Sequence, residues 1–182
     1  MARPREFNYE DALQGAMNIF WQKGYRATTL PDLLAAMEMT RGSFYQAFGD
    51  KEATYLEALD CYDEAVVSRT VEMLNHCNEP TAVACLMPLF QGNDTDRRGC
   101  FICNAMVEMG PDHPRAARKV QAMADRLREA ILSVLQQYRQ NTTDRDLQET
   151  ADLILHLYFG KQAMGKAGGT AADWEGRLRS LI

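Results

Sequence analysis

Thr40-Arg41-Gly42-Ser43-Phe44-Tyr45-Gln46-Ala47-Phe48-Gly49-Asp50-Lys51-Glu52 is the stretch on which the reading of this chain turns. Thr40 suits a helix N-cap, where its hydroxyl accepts from a backbone amide two or three residues on. Phe44 and Phe48 stand one turn apart and face one way, and Gly49 suits the position just past a helix end. The spacing predicts a helix of barely two turns, apolar on its inner side. Its outward and terminal positions hold Arg41, Ser43, Tyr45 and Gln46, with no acid among them. Arginine donates two hydrogen bonds to guanine, glutamine pairs with adenine, and Ser or Tyr hydroxyls reach phosphates. Gly42 lets another backbone approach closely.

Upstream, Thr29-x-x-Asp32 reads as a capping box, Pro31 is tolerated in a first turn, and Leu30, Leu33, Leu34 and Met37 form one apolar face. Two short helices joined at Glu38-Met39 have the proportions of a helix-turn-helix, whose second helix enters the major groove of DNA. The N-termini of the second, third and fourth helices carry Thr28-Thr29, Thr40 and Lys51, which offer hydroxyls, free amides and a cation to phosphates. A solvated hairpin that binds nothing is the other reading of the same pattern.

Working outward, Tyr9, Ala12, Leu13, Ala16, Ile19 and Phe20 recur at helical spacing between a capping Asn8 and Gly24, predicting a first helix over 9–23. Asp50 caps a long fourth helix running to about Asn75, with Tyr55, Leu59, Tyr62, Val66 and Leu74 inward, until Asn78-Glu79-Pro80 breaks it. A fifth helix over about 80–91 closes at the polar turn Gln91–Gly99, which holds Gly92, Asn93, Asp94 and Asp96. A sixth starts near Cys100 and ends at Gly110-Pro111. The seventh runs from Pro114 to about Gln140, with Val120, Met123, Leu127, Ile131, Val134, Leu135 and Tyr138 inward and arginines outward.

Thr143 or Asp144 caps an eighth helix with the stripe Leu147, Ala151, Ile154, Leu155, Tyr158 and Phe159, stopped by Gly165, Gly168 and Gly169. A short last helix carries Trp174, Leu178 and Leu181. With no alternating β-branched run and no repeat, the expected class is all-α with about nine helices. Residues 1–50 are expected to form a three-helix domain carrying the helix-turn-helix and residues 51–182 a second helical domain.

Bulk properties narrow the function. With 182 residues, 46% of them apolar, the chain is long enough for a buried core, and no run approaches the roughly 20 apolar residues of a membrane span. Met1-Ala2-Arg3-Pro4-Arg5 lacks a secretory apolar stretch, so a cytoplasmic protein with no membrane association is expected. Five scattered cysteines favour reduced thiols over a disulfide framework. The net charge is −5, and residues 1–60 carry six Lys or Arg against nine Asp or Glu, so DNA binding must come from placed charges rather than from bulk attraction.

The stretch Gly24-Tyr25-Arg26-Ala27-Thr28-Thr29, then Leu33, then Thr40 to Glu52 resembles the TetR regulators over about the first 60 residues. That resemblance implies a homodimer whose recognition helices read a palindromic double-stranded operator. Thr29, Thr40, Arg41, Gly42, Ser43, Tyr45, Gln46 and Lys51 then lie at contact positions. It further implies Tyr45 and Lys51 on phosphates, Arg41 and Gln46 on bases, and a small-molecule effector that releases a repressor. Arg3 and Arg5 form either a DNA-touching arm or a disordered tail. Glu38, where the family often has a turn glycine, and Ala47, where it often has histidine, depart from the pattern.

Gly99-Cys100-Phe101-Ile102-Cys103-Asn104, with Glu108 and Pro114 following, is similar to the segment that opens the sixth helix in one subgroup of that family. The resemblance places an effector cavity among the later helices, making Met87, Phe90, Phe101, Met106, Met123, Tyr158 and Phe159 candidate lining residues, or else plain core. Cys100 stands near a helix N-terminus behind Arg97 and Arg98, a setting that lowers a thiol pKa. With Cys103 as partner it offers an alternative function as a redox or electrophile sensor, against simple packing. The eighth helix and the last resemble the family's dimer interface, against a purely intramolecular face. No metal site is expected, because Cys100-x-x-Cys103 lacks a second pair and His113 a partner, and Cys77 beside His76 adds little. No nucleophile elbow, phosphate-binding glycine loop or His-Glu-x-x-His motif is present, so neither an enzyme nor a cofactor is expected.

Overall fold

A computed structural model of the chain describes residues 7–91, 97–109, 112–138, 143–168 and 173–182. Arg3, Arg5, Gly92, Asn93, Asp94, Asp96, Gly110, Pro111, Gln140 and Gly169, singled out above, lie outside the described residues. Among those described the fold is all-helical. The order is α1 (Tyr9–Lys23), α2 (Leu30–Ala36), α3 (Arg41–Phe48), α4 (Lys51–Tyr62, a π turn Asp63–Ser68, then Arg69–Asn75), α5 (Ala82–Phe90), α6 (Phe101–Met109), α7 (Pro114–Gln137), α8 (Asp144–Lys166) and α9 (Trp174–Arg179). No helix of the described residues is long and apolar enough to cross a membrane.

The helix starts follow the caps written in the sequence. Asn8 accepts from the amides of Glu10 and Asp11, Thr40 from Ser43, Asp50 from Ala53, and Thr143 from Asp146. Each replaces an amide partner that the first helical turn lacks. Thr143, rather than Asp144, is the cap of α8.

The fourth helix differs from the expectation. Its π turn inserts one residue, so the inward series Tyr55, Leu59, Tyr62 continues at Val67, 1% exposed, rather than at Val66. A bond pattern of i to i+5 rotates every later side chain relative to a regular helix.

The chain divides into two compact units. One runs to Ala65 and takes in Asn104–Val120; the other comprises Val66–Cys103 and Gln121–Ile182. In the first, α1 packs on α2 and α4, and α3 packs on α4. Ala16, Phe20, Leu33, Phe44, Tyr55 and Leu59 are fully buried there. Each large apolar side chain so buried contributes roughly 1.5–3 kcal/mol. In the second unit α5 packs on α8 and α9. There Phe90 lies against Trp174 at 5.0 Å between centroids, and Leu86, Ile131 and Ile154 are at most 1% exposed.

Reduced thiols throughout were expected, and the second unit corrects this: Cys77 and Cys85 form a disulfide, with their Cα atoms 5.8 Å apart. Thr81 caps α5 through the amide of Ala84, and the chain turns sharply enough to bring the first turn of α5 back beside Cys77. The Tyr138 hydroxyl donates to the Glu79 carbonyl, and Gln137 donates to the carbonyl of Cys77 at 3.4 Å. Count and spacing could not show this, because the pairing depends on the path of an eight-residue separation. Cys61, Cys100 and Cys103 are not disulfide-bonded.

Candidate nucleic-acid interface

The helix-turn-helix is built from two capped helices and one strained residue. Thr29 and Asp32 close the capping box of α2: the Asp32 amide donates to the Thr29 hydroxyl at 3.3 Å, and the Thr29 amide donates to the Asp32 carboxylate at 2.9 Å. Lys23, at 2.6 Å, and then the Thr29 amide and hydroxyl hold the Asp32 carboxyl well below the usual carboxylate range. Between α2 and α3, Met37 and Met39 are buried while Glu38 points outward with φ 53°. Glu38 is the position where a turn glycine is common in the resembled family.

An L residue at such a φ costs roughly 1–2 kcal/mol. Glycine there would recover part of that cost, less its greater freedom in the unfolded chain. Glu38→Gly is therefore expected to stabilise the protein by about 0.5–1 kcal/mol, a rise in Tm of about 1–4 °C. Thermal unfolding by circular dichroism checks this; an unchanged or lower Tm would mean that the turn carries no relievable strain.

α3 presents two different faces. Phe44 and Phe48 are 0% and 3% exposed, and the Tyr9 ring stacks on Phe48 at 4.7 Å between centroids. On the other side Arg41, Gly42, Tyr45 and Gln46 are exposed, Tyr45 at 51%. The Tyr45 ring meets Phe44 edge-on at 5.4 Å, which braces it without burying it. Ser43 is half-buried, and its hydroxyl lies 3.0 Å from that of Thr40. A Cβ added to Gly42 would meet nothing within 4 Å, so no contact inside the chain requires glycine there.

The remaining sequence candidates divide by position. Thr29 is exposed, with its hydroxyl donated to Asp32 at 2.8 Å, and Thr40 is exposed at the start of α3. Lys51, half-buried at the start of α4, sets its ammonium 4.5 Å from the centre of the Tyr25 ring. Thr28 is a correction: it is 1% exposed and donates its hydroxyl to the Gly24 carbonyl at 2.6 Å, so it fixes the turn before α2 instead of facing outward.

Glu108 has a role that its place between Cys100 and Pro114 does not announce. In the first unit its carboxylate accepts from the amides of Tyr25, at 2.7 Å, and Arg26, at 2.6 Å. A contact across more than 80 residues leaves no local signal. Gly15 likewise carries no local signal of its role: a Cβ there would stand 2.1 Å from the Ala36 carbonyl oxygen.

Among the proposed effector-lining residues, Phe90, Phe101 and Met123 are at most 3% exposed and serve as core, whereas Met87, Met106, Tyr158 and Phe159 are half-buried. Tyr158 contacts Phe159 and Phe90 at 5.6 and 6.5 Å between ring centroids. Met106 belongs to the first unit and the other six to the second. Met87, with Glu79, Thr81, Pro88, Glu175 and Arg179, lines an open groove of about 340 Å³.

Cys100 is 3% exposed, and its side chain is hydrogen-bonded with that of Cys103. That bond, then burial, then the nearby charge of a Cys100 thiolate push the Cys103 thiol up. Burial first, then the two cysteines, pushes the Tyr158 phenol up as well. The described residues hold no group of three or more His, Cys, Asp or Glu arranged for a metal ion.

Known proteins share this architecture. Residues 12–58 match the sequence profile of bacterial regulatory proteins of the tetR family. The chain is 27% identical over 178 residues to the HTH-type transcriptional repressor ComR of Escherichia coli strain K12, covering 92% of this chain and 84% of that protein. It is 29% identical over 162 residues to the HTH-type transcriptional regulator YezE of Bacillus subtilis strain 168, covering 83% and 82%. A cysteine variant of the TetR family transcriptional regulator CifR, solved with a 26-base-pair double-strand operator DNA, superposes with a TM-score of 0.76 at 26% identity, covering 98% of this chain and 96% of that one. The profile match falls on the helix-turn-helix described above, and the structural likeness spans nearly the whole chain. Residues 12–58 thus carry the DNA-binding segment characteristic of bacterial regulatory proteins of the tetR family, and the chain as a whole has the fold of TetR family transcriptional regulators.

Proposed function

We propose that this chain is a cytoplasmic, sequence-specific transcription regulator that binds a palindromic operator as a homodimer, represses, and is released by a small-molecule effector. The observation that carries the reading is the outer face of α3, where Arg41, Gly42, Tyr45 and Gln46 are exposed without an acid between them. CifR with its operator duplex and the repressor ComR support the same reading. The function is recognition and regulation, not catalysis. DNA contact is assigned to residues 1–50, with sensing and dimerisation in 51–182.

Dimerisation is assigned to α8 and α9. Leu153 and Met164 are 44% and 64% exposed, and Leu157 between them is half-buried, which gives α8 an apolar stripe beyond what its own core uses. Two half-site contacts in one rigid body add their free energies, and an effector that favours badly spaced recognition helices opposes DNA by linkage.

Gly42 supplies the test. Glycine inside a helix costs about 0.5–1 kcal/mol relative to alanine, so Gly42→Ala is expected to stabilise the protein by about that amount. A methyl group between α3 and a DNA backbone is expected to weaken binding about five- to 100-fold, as overpacking does elsewhere. The measurements are thermal unfolding and binding to a duplex selected by the wild-type protein from random sequence. Stability and binding moving in the same direction would defeat this reading of α3.

A thiol-responsive form of the same regulator centres on Cys100 and Cys103, two cysteines three residues apart at the start of α6. It requires a labelling rate at Cys100 above that of free cysteine, and Cys100→Ser to abolish an oxidant's effect on operator binding. A rate no higher than free cysteine leaves both thiols as packing groups.

A further inference from the structure

The turn between α1 and α2 is held by a side chain that neither motif nor spacing assigns. Gly24 ends α1 with φ 84°, and the next two amides, of Tyr25 and Arg26, both donate to Glu108 on α6. The carboxylate lies so near that a Cβ on Gly24 would come within 2.7 Å of its Oε2. The φ is what requires glycine at this position. Charge-assisted hydrogen bonds of this kind are short and about twice as strong as neutral ones.

The bonds lead toward the interface. The Tyr25 ring, whose backbone Glu108 holds, is wedged against Tyr55 at 5.0 Å and His113 at 5.5 Å between centroids, and carries the Lys51 ammonium on its face. Lys51 opens α4, beside the end of α3. Glu108 also attracts the Lys51 charge directly. By contrast the Arg26–Asp112 ion pair, at 3.3 Å, is about two-thirds exposed at both partners and adds little.

We propose that Glu108 is a positioning residue for DNA binding: it fixes the Tyr25 backbone, and through the Tyr25 ring it sets the Lys51 ammonium where a phosphate is contacted. This inference rests on the DNA-binding function proposed above. Glutamine at 108 keeps one acceptor but turns a donor toward the second amide. Removing the carboxylate frees the turn and lets Lys51 leave its platform.

The experiment uses the full-length protein and a duplex selected by the wild type from a random pool. Glu108→Gln is expected to weaken binding about tenfold, the scale of a lost hydrogen bond to a charged group, and to flatten the dependence on salt as Lys51→Ala does. In a Lys51→Ala background the same change is expected to cost less than about twofold, because both act through one contact. Asp112→Ala serves as the control and is expected to bind within about twofold of wild type.

A full tenfold loss repeated in the Lys51→Ala background would overturn the positioning role and leave Glu108 a stabilising residue only. Amide exchange in the wild type gives a second readout that needs no variant. Protected Tyr25 and Arg26 amides support the inference, and amides exchanging as fast as exposed neighbours overturn it. If the wild type selects no sequence from the pool, the DNA-binding reading itself fails and this inference with it.

Discussion

Gly15→Ala is expected to lower the Tm by about 4–8 °C and to weaken operator binding at least about tenfold, through a loss of about 2 kcal/mol and a shift of α2. The cause is a backbone approach. A Cβ at position 15 would stand 2.1 Å from the Ala36 carbonyl oxygen and 2.9 Å from its carbon. Neither is the end of a flexible side chain, so α1 and α2 must separate. Alanine's better helix propensity, worth about 1 kcal/mol, offsets part of the overpacking.

The separation cannot stay local. Leu33 on α2 and Met37 just past its end are 0% and 3% exposed, and the turn at Glu38 hands the displacement to α3. Thermal unfolding and binding to the selected duplex measure the two effects together. A Gly15→Ala protein with wild-type Tm would show that α1 and α2 do not cross this closely.

The second large effect concerns the exposed face of α3. Arg41→Ala and Tyr45→Ala are each expected to weaken operator binding; Arg41→Ala leaves the Tm within about 2 °C, since an exposed side chain free of packing changes stability by about 0.5 kcal/mol or less, and Tyr45→Ala lowers it by about 1–6 °C through the lost edge contact with Phe44, worth about 0.5–1.5 kcal/mol. A bidentate arginine contact to guanine is worth about 1–3 kcal/mol, and the homodimer proposed above would lose it in both half-sites, so Arg41→Ala is expected to cost roughly 100-fold or more and to relax sequence preference at one symmetric position. Tyr45→Ala is expected to weaken all sequences alike, because a phosphate contact positions without specifying. Its salt dependence should match the wild type, because no cation is removed. Repeating the selection with each variant separates the two roles; an Arg41→Ala protein that selects the same sequence with the same affinity would remove arginine from base recognition.

The local elements were legible because their signals are local. Asn8, Thr29, Thr40 and Asp50 each accept from an amide two or three residues on, and the apolar spacing of Phe44 and Phe48 requires only one helical turn. The outward face of α3 followed from the same periodicity. Thr28 was misplaced because two adjacent threonines look alike in sequence, while the turn buries one and caps with the other.

The π turn was missed for a different reason. The segment from Asp63 to Ser68 contains neither proline nor glycine, so nothing in it announces that the inward series moves from Val66 to Val67. The charge balance, the caps, the helical periods and the polarity of α3 are determined by the order of residues alone, since each rests on interactions within a few positions. Tertiary structure decided the rest: the Cys77–Cys85 bond, the crossing at Gly15, the burial of Cys100 and the hold of Glu108 on the Tyr25 and Arg26 amides. Each of these depends on where the folded chain returns to itself, which local periodicity does not encode.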